Sequence, residues 1–359
     1  MNHRQATVYS QADATTAKTE PISLDLSDVV SRLQVKFNST NASNTATGHP
    51  AKQISKVELV DGSDVLLSLS GQQIEALMFF KYGVGRNYEI EYRNGVENRL
   101  VLDILFGRYL YDPILALDPG KFKNPQLKIT HNKALGGSAP SSATLEIFAD
   151  VFDEKKVSPI GFLMQKEFFS WPLVANEEKG IDLPTDYPIR KLLICGYLED
   201  NWWDNLYSHV KLSEDNDKKV PYDIDAYDLM QLAFTKYGPY KETMVAYTPG
   251  VGSNQRYYIT PVEVPTVSIS TIGSPVVYTD AETVGGYFRV ENTAVRAFRA
   301  AIAGYIPHGA VPLDFGDQSL IEDWYDVTKK GNVKLKVKST SGASAASTAI
   351  VTEQIRKFV

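Results

Sequence analysis

Residues 67–83 of this 359-residue chain read LSLSGQQIEALMFFKYG. Leu67 and Leu69 alternate with polar residues, which predicts a short β-strand. Ser70 then stands at the position of a helix N-cap, and Gln73, three residues later, completes a capping box. Apolar residues follow at helical spacing as far as Gly83, where a glycine is typical of a helix end. The stretch therefore predicts a strand, a short capped helix and a glycine stop.

A second stretch, residues 222–238, repeats this pattern without a gap and reads YDIDAYDLMQLAFTKYG. At this offset of 155 residues, Ser70 aligns with Asp225, so that one N-cap residue type meets another. Leu77 aligns with Leu232, and both stretches end in the same Lys-Tyr-Gly triplet. Internal similarity of this kind points to a repeated architecture.

Weaker matches continue in the same order along the chain, and together they predict an internal duplication. They pair Val57-Glu58-Leu59 with Val210-Lys211-Leu212 at an offset of 153, Leu117-Asp118 with Leu313-Asp314 at 196, residues 124–129 with 330–335 at about 206, and Ser142–Leu145 with Ser347–Ile350 at 205.

The growth in offset predicts an insertion in the second copy. Between the helix and the Leu-Asp pair the offset rises by 41 residues, so the added chain lies between Gly238 and about Ala310. Glycine and proline punctuate this stretch, while Val262–Ile269 and Val276–Tyr278 have the composition of strands. We expect the inserted residues to form extra β-strands within a long loop. Loops of this length are usually functional surfaces.

Composition excludes several classes of protein. The chain has one cysteine, so it has no intramolecular disulfide and no CxxC zinc site. It has 37 basic and 43 acidic residues, a net charge of −6, which argues against sequence-specific nucleic-acid binding. No apolar run approaches 18 residues, and the first residues lack the apolar core of a secretory signal. We expect synthesis in a cytosol.

Frequent turn signals and short strand candidates favour an all-β fold, because parallel βαβ units need longer spacing. Each copy supplies about eight strand candidates and one short helix. An eight-stranded antiparallel domain with two sheets is a jelly roll. The predicted fold class is therefore two tandem eight-stranded antiparallel jelly rolls, each with a short helix after an inner strand.

Several motifs add to the repeated pattern. They are the two strand–helix–glycine units, Phe106–Tyr109 with Asp112-Pro113, Leu117–Gly120 and Asn124–Ile129. With these motifs the sequence resembles the double jelly-roll major capsid proteins of tailless icosahedral viruses that contain a membrane, such as tectiviruses, corticoviruses and lipid-containing phages of flavobacteria. The resemblance covers nearly the whole chain beyond the arm, in pattern more than in identity. The second half departs from a simple copy at Phe168–Pro172 and Trp202-Trp203-Asp204, which have no counterpart in the first half.

The resemblance implies a structural protein without catalysis. Such a protein forms a homotrimer whose six similar rolls tile a pseudo-hexagonal lattice around an internal membrane. Its partners would be neighbouring capsomers and penton or minor capsid proteins. Its termini would lie near the inner face, where the tail ending in Arg356, Lys357 and Phe358 would contact lipid or form a plain terminal strand. The implied organisation is an extended arm at 1–20, a first roll at 21–160, and a second roll at 161–359 carrying a tower-like loop at about 239–290.

The chemistry-bearing residues predict no catalytic, cofactor-binding or metal site, and no cofactor. The five histidines, His3, His49, His131, His209 and His308, have no metal-binding spacing, and we expect His131 and His308 on the solvated surface. Cys195 stands in an apolar run and reads as a small buried hydrophobe. The acidic loop Glu214–Asp217 reads as a solvated loop facing Lys218 and Lys219, with a bound ion as the alternative.

A second hypothesis is a two-domain β-sandwich that binds or cleaves carbohydrate. Trp202, Trp203 and the tyrosines of residues 237–258 would line its sugar groove, and Glu199 and Asp204 would supply carboxylates. The competing interpretation places these aromatic residues in the core or in subunit interfaces. A phage spike is a third hypothesis, and the duplicated roll argues against it.

Overall fold

The computed structural model describes residues 2–85, 88–248, 254–271, 281–291 and 295–358, with the backbone alone for 281–284 and 291. Strands dominate it, and they separate into two similar sets of eight and one inserted set. Numbering below follows the chain.

The first set of strands forms two facing antiparallel sheets. Their orders are β1-β9-β3-β7 and β2-β8-β4-β5. Helix α1, Gly71–Tyr82, follows β5. The strands are β1 His3–Asp13, β2 Lys18–Ser23, β3 Val30–Thr40, β4 Ile54–Asp61, β5 Asp64–Leu69, β7 Glu97–Leu105, β8 Pro125–His131 and β9 Ser142–Phe152, with a two-residue strand β6, Ile90–Glu91, outside both sheets.

The second set repeats this topology strand for strand. Its sheets have the orders β10-β23-β12-β21 and β11-β22-β13-β14, and helix α2, Ala226–Tyr237, follows β14. Counted within each set, both copies therefore have the strand orders 1-8-3-6 and 2-7-4-5. The strands are β10 Gly161–Pro172, β11 Glu178–Asp182, β12 Ile189–Tyr197, β13 Tyr207–Glu214, β14 Lys219–Asp225, β21 Ala310–Asp314, β22 Val333–Ser339 and β23 Ser347–Lys357.

The element bounds confirm the predicted duplication and correct two of its matches. β5 with α1 and β14 with α2 begin and end at an offset of 155, β4 and β13 at 153, and β9 and β23 at 205. β8 and β22 correspond at 208 rather than 206. The Leu117-Asp118 match is wrong, because Leu313-Asp314 belongs to β21, whose counterpart is β7. A two-residue Leu-Asp pair is too short to fix a register.

The residues inserted in the second roll form a small β unit of their own. The unit runs from β15 to β20 and so ends at Pro307, beyond the expected end near 290. The predicted strand at Val262–Ile269 lies within β17, whereas Val276–Tyr278 lies outside the described residues. The strands are β15 Tyr240–Tyr247, β16 Asn254–Tyr258, β17 Pro261–Thr271, β18 Ala281–Val284, β19 Tyr287–Glu291 and β20 Ala297–Pro307.

This inserted unit rests on the first roll. Its larger sheet has the order β17-β20-β15-β6, so that β15 pairs in parallel with β6 of the first half. Ile90 and Tyr92 of the first half are fully buried in its apolar cluster, beside Tyr257 and Phe298. The insertion therefore shares its core with the first roll although it is connected to the second.

The N-terminal residues are extended, as predicted for an arm, but they are not free. β1 pairs antiparallel with β9 from His3↔Phe152 to Asp13↔Thr144. Only Ala6 of β1 is fully buried, so the strand lacks the apolar alternation by which a strand is usually recognised. Backbone hydrogen bonds at the sheet edge hold this segment in place. Because these bonds do not involve side chains, the residue types do not predict them.

Candidate functional site

A parallel strand pair joins the two rolls. β5 pairs with β10 through Leu67↔Gln165 and Ser68↔Lys166. This contact merges one sheet from each roll into an eight-stranded sheet of order β2-β8-β4-β5-β10-β23-β12-β21. The Arg356 guanidinium of β23 also donates to the Asp64 carboxylate of β5 at 2.9 Å. The rolls are therefore fixed side by side along one edge of each.

A buried ionic network crosses this junction. Lys81 of α1 lies 3.2 Å from the Glu353 carboxylate of β23, and both side chains are almost fully buried. Arg190 donates to the other Glu353 oxygen, and Gln165 donates to Glu353 at 2.8 Å. Burial opposes the ionised form of Glu353, yet Lys81, Arg190 and Lys191 hold the pKa of Glu353 down to about 2. The carboxylate is thus ionised inside the molecule because three cations surround it.

A second carboxylate, Asp314 of β21, organises the adjoining part of the junction. The Lys191 ammonium lies 3.2 Å from Asp314 and donates to the Phe80 carbonyl of α1 at 3.0 Å. Lys236 of α2 lies 2.8 Å from the same carboxylate. Burial raises the pKa of Asp314, but these two lysines outweigh it and lower the pKa. Lys81 and Lys236, equivalent in the duplication, therefore both neutralise carboxylates of the second roll.

The two helices occupy equivalent positions but are covered differently. α1 contacts β4 and β7 of its own roll, and also β20 and β21 from the second half. α2 contacts mainly elements of the second half, while Tyr237 at its end packs against Phe79 and Phe80 of α1. As a result Leu77 is 2% exposed, while its counterpart Leu232 is 60% exposed and the neighbouring Tyr227 is 55% exposed. The second roll covers the face of α1 whose equivalent on α2 faces solvent.

The inserted unit is also fastened to the second roll. Arg256 of β16 pairs with Glu199 at 3.0 Å and with Asp200 at 3.1 Å, and Arg289 of β19 reaches Asp200 at 3.2 Å. The buried Glu263 of β17 accepts a hydrogen bond from the Trp203 backbone N–H. Burial raises the pKa of Glu263 to about 8. The insertion is thus held to both rolls.

Solved structures with this architecture span nearly the whole chain. The structure is similar to the major capsid protein of Sulfolobus turreted icosahedral virus, with a TM-score of 0.61, 12% identity, and coverage of 98% of this chain and 96% of that chain. For PBCV-1 VP54 the TM-score is 0.57 at 11% identity, with 99% and 94% covered. For the major capsid protein P2 of bacteriophage PM2 it is 0.55 at 11% identity, with 99% and 98% covered. No protein-family model and no curated protein sequence matches the chain.

The chain is a double jelly roll. The predicted fold class is confirmed, since the two repeated strand orders and the whole-length similarity agree. At identities near 11–12% the likeness establishes the fold, and function has to be argued from the arrangement of the rolls and their surfaces.

Two predicted surface histidines of the double jelly roll are in fact buried. His131 is 1% exposed and packs against Phe37, and His308 is 7% exposed. Local sequence gave both a loop-like context, but α1 of the first roll covers His308 through Glu75, 233 residues away. His209 lies on the surface between Asp223, at 2.7 Å, and Asp225, at 3.1 Å.

The acidic loop at 214–217 has partners among the described residues. Glu214 lies 2.7 Å from Lys330 and 3.7 Å from Lys219. Asp215 accepts from two backbone N–H groups, those of Gly331 and Asn332, each at 3.0 Å. Glu214 is only 3% exposed, so the predicted solvated loop facing Lys218 and Lys219 is wrong at this residue, whose nearest cation is Lys330 of a distant segment.

The aromatic residues proposed for a sugar groove are buried or half-buried, with Trp202, Tyr237, Tyr247 and Tyr258 in the half-buried group. Trp203 is fully buried and packs against Tyr207, with ring centroids 4.7 Å apart. Tyr240 and Tyr257 are also buried. The positions of Trp203, Tyr240 and Tyr257 favour the core interpretation and take these three residues out of a carbohydrate groove. Cys195 is half-buried in β12, where burial raises the pKa of its thiol and disfavours the reactive thiolate.

The sequence analysis did not anticipate one polar cluster. His49, Glu75 and His308 lie together at the base of the inserted unit, and one ligand atom from each falls within 4.8 Å of the others. Two segments of the first roll and one turn after β20 supply them, so no local spacing signals the cluster.

Proposed function

We propose that this protein is the major capsid protein of an icosahedral virus that encloses a membrane, and that it assembles as a homotrimer. The observation that carries the proposal is the pair of similar rolls joined side by side. The first roll contributes β5 and α1 to this junction, and the equivalent surface of the second roll, formed by β14 and α2, is left exposed. Similarity over nearly their full lengths to capsid proteins of three viruses supports it.

The geometry of the junction suggests how copies associate. Within one chain, the outer strand of the first roll, β5, pairs with the first strand of the second roll, β10. The equivalent outer strand of the second roll, β14, and the first strand of the first roll, β1, are both sheet edges among the described residues. If β14 of one copy lies against β1 of the next, the same roll-to-roll contact is repeated between chains. Three copies then close a ring of six similar rolls.

The exposed face of α2 fits this arrangement. In the intramolecular junction β20 and β21 of the second half contact α1, and Leu77 is buried in an apolar cluster to which both halves contribute. In the trimer the first roll of the next copy would cover α2 in the same way and bury Tyr227 and Leu232. The ring would thereby supply to α2 the apolar environment that α1 already has.

The domain organisation follows from this role. We propose a second roll at 161–359 and a first roll that ends near residue 160 but begins at β1, near His3, rather than at residue 21, with β1 as the N-terminal strand that contacts the neighbouring subunit. The inserted unit is the outward tower, and the chain termini lie towards the membrane. Neither helix of the described residues, each of 12 residues, has the length and apolarity of a membrane span. Contact with lipid would therefore occur at the surface, near Lys357.

The remaining partners are those of a shell. Neighbouring trimers and penton or minor capsid proteins would meet the outer surfaces of the ring, and the protein would be made in the host cytoplasm and reside in the virion. The protein would not act as an enzyme, because its role is to pack against copies of itself.

The test is the oligomeric state of the purified chain and of one variant. Light scattering or native mass spectrometry should give three chain masses for the wild type, and negative-stain micrographs should show pseudo-hexagonal particles. Leu232→Glu should give folded monomers, because it places a charge in the proposed contact. Leu135→Glu is the matched control: it alters an exposed leucine outside both helices and the edge strands, and should remain trimeric.

A stable wild-type monomer at micromolar concentration would overturn the proposed function. A trimer that survives Leu232→Glu unchanged would overturn the role of α2 in the interface.

A further inference from the structure

The buried cluster at the base of the inserted unit brings three metal-binding side chains together. His49 precedes a short 3-10 helix of the first roll, Glu75 lies in α1, and His308 lies in the turn between β20 and β21. All three side chains are buried, and their ligand atoms lie within 4.8 Å of one another. A modest rotation of side chains brings such a set to the spacing of a metal site.

The surrounding structure holds both histidines in place. The His308 backbone N–H donates to the Thr260 carbonyl at 2.8 Å, and the His308 Nε2 lies 2.7 Å from Glu75. The His49 Nδ1 accepts from the Ala51 backbone N–H at 3.1 Å, and its Nε2 lies 3.1 Å from the Thr260 hydroxyl. The two imidazole rings are 4.7 Å apart. These contacts hold both rings close to Glu75.

We propose that His49, Glu75 and His308 bind one divalent transition-metal ion of the zinc type. Two imidazoles and one carboxylate are a familiar zinc ligand set, whereas calcium and magnesium prefer oxygen ligands alone. The Thr260 hydroxyl, which donates to Glu242 at 2.7 Å, or a water molecule would fill the fourth position. The site is independent of the proposed capsid role, since it rests on these side chains alone.

Metal binding requires a defined rearrangement of protons. The His308 Nε2 gives up its hydrogen bond to Glu75 and binds the metal instead, so that the ring proton lies on Nδ1. The Gln72 amide is 3.3 Å from this Nδ1 and turns its oxygen towards it to accept the proton's hydrogen bond. His49 moves its proton from Nε2 to Nδ1 and gives up the bond from Ala51 N–H. Three hydrogen bonds are lost, those of His308 with Glu75, of His49 with the Thr260 hydroxyl and of His49 with the Ala51 N–H, and three bonds to the ion are gained. Protons compete with the ion for these ligands, so binding weakens in acid.

Two cavities reach members of the cluster. His308 and Gln72 line a cavity of about 320 Å³, together with Lys52 and Cys195. Glu75 lines a separate cavity of about 550 Å³ on the side of β7.

The bound ion would clasp the inserted unit to the first roll. Two ligands belong to the first roll, and the third ends the insertion, so the coordination bonds cross between them. We therefore expect zinc to stabilise the tower without changing the fold.

The test uses the full-length chain without an affinity tag, stripped with a chelator and dialysed against micromolar zinc chloride. Elemental analysis should find one zinc per chain, and the thermal midpoint should rise relative to the stripped protein. Cobalt should give the visible absorption bands of a tetrahedral site. The background variant His209→Asn removes the exposed His209–Asp223–Asp225 group as a competing site and should leave these results unchanged.

Three variants decide the assignment. His308→Asn and His49→Asn should lose the stoichiometric zinc and the cobalt bands. The asparagine at position 49 still offers an oxygen to the Ala51 N–H. Glu75→Gln preserves shape and a hydrogen bond to His308, and should weaken zinc binding at least tenfold even if a histidine variant does not fold. A wild type that binds no zinc at micromolar free ion would overturn the proposal, as would folded variants that keep the same stoichiometry and cobalt spectrum.

Discussion

Glu353 of the second roll forms a buried ion pair across the junction with the first roll. It lies at 3.2 Å from Lys81 and accepts from Arg190, in a place that solvent barely reaches. Glu353→Gln removes the anion and leaves buried cations without compensation. We expect it to lower the free energy of unfolding by about 3–5 kcal/mol at pH 7. Chemical denaturation measures the loss, and Glu97→Gln, at an exposed pair with Arg99, should have a much smaller effect.

The pH dependence of that loss follows from the direction of the shift. The pKa of Glu353 is about 2 in the folded protein, below its ordinary 4.5. The contribution is therefore fully present above pH 4.5 and disappears as the pH falls from 4.5 to 2. The difference in stability between wild type and Glu353→Gln should shrink over that window. A difference that is constant across it would contradict the role of the charge.

Glu263 should show the opposite dependence. Burial raises its pKa from 4.5 to about 8, so between these values the folded protein keeps a proton that the unfolded chain has lost. Stability from this group therefore falls as the pH rises from 4.5 to 8. Glu263→Gln is neutral throughout and can still accept from the Trp203 N–H. It should be as stable as the wild type near pH 4.5 and more stable at pH 8.

Thermal midpoints measured across this range test the expectation. Glu178→Gln, at an exposed carboxylate in β11, controls for the loss of one negative charge. A variant that loses stability at pH 8 would show that the carboxylate is needed in its ionised form.

At the scale of elements, the two equivalent helices begin differently. Ser70 accepts from the Gln73 N–H, and the Gln73 side chain accepts from the Ser70 N–H, which completes the predicted capping box. Asp225 occupies the same position of α2 but makes no capping bond, since its carboxylate contacts His209. Ser70→Ala should therefore cost about 1 kcal/mol of stability and Asp225→Ala clearly less. Denaturant unfolding of the two variants measures this, and equal losses would contradict it.

The same elements show what local sequence can predict. The strand, the capping box and the end of α1 at Gly83, whose φ is 68°, all depend on neighbouring residues, and the structure contains each of them. β1 is different, because only one of its residues is fully buried and its partner β9 lies about 140 residues away. Leu77 and Leu232 are the same residue in equivalent places, yet their exposure differs because separate parts of the chain cover them.

Local sequence also could not predict the His49–Glu75–His308 cluster, because distant parts of the chain form it. Its residues stand in three segments that look like ordinary loop and helix, and only the return of the insertion onto α1 brings them together. A long insertion between two strands was visible from the change in offset. The sequence did not show where the end of the insertion would contact the first roll, because that contact depends on tertiary packing.

At the scale of the whole molecule, the two rolls should unfold as one unit. An eight-stranded sheet runs through both, and the Lys81–Glu353 pair crosses between them. The duplication offers a matched test in Leu59 of β4 and Leu212 of β13, which correspond at an offset of 153 and are both fully buried. Replacing either by alanine should cost about 2–5 kcal/mol. Because the rolls are coupled, each variant should shift the same single calorimetric transition. Two separate transitions, with Leu59→Ala moving one and Leu212→Ala the other, would mean that the rolls are independent domains and that the junction contributes little to their stability.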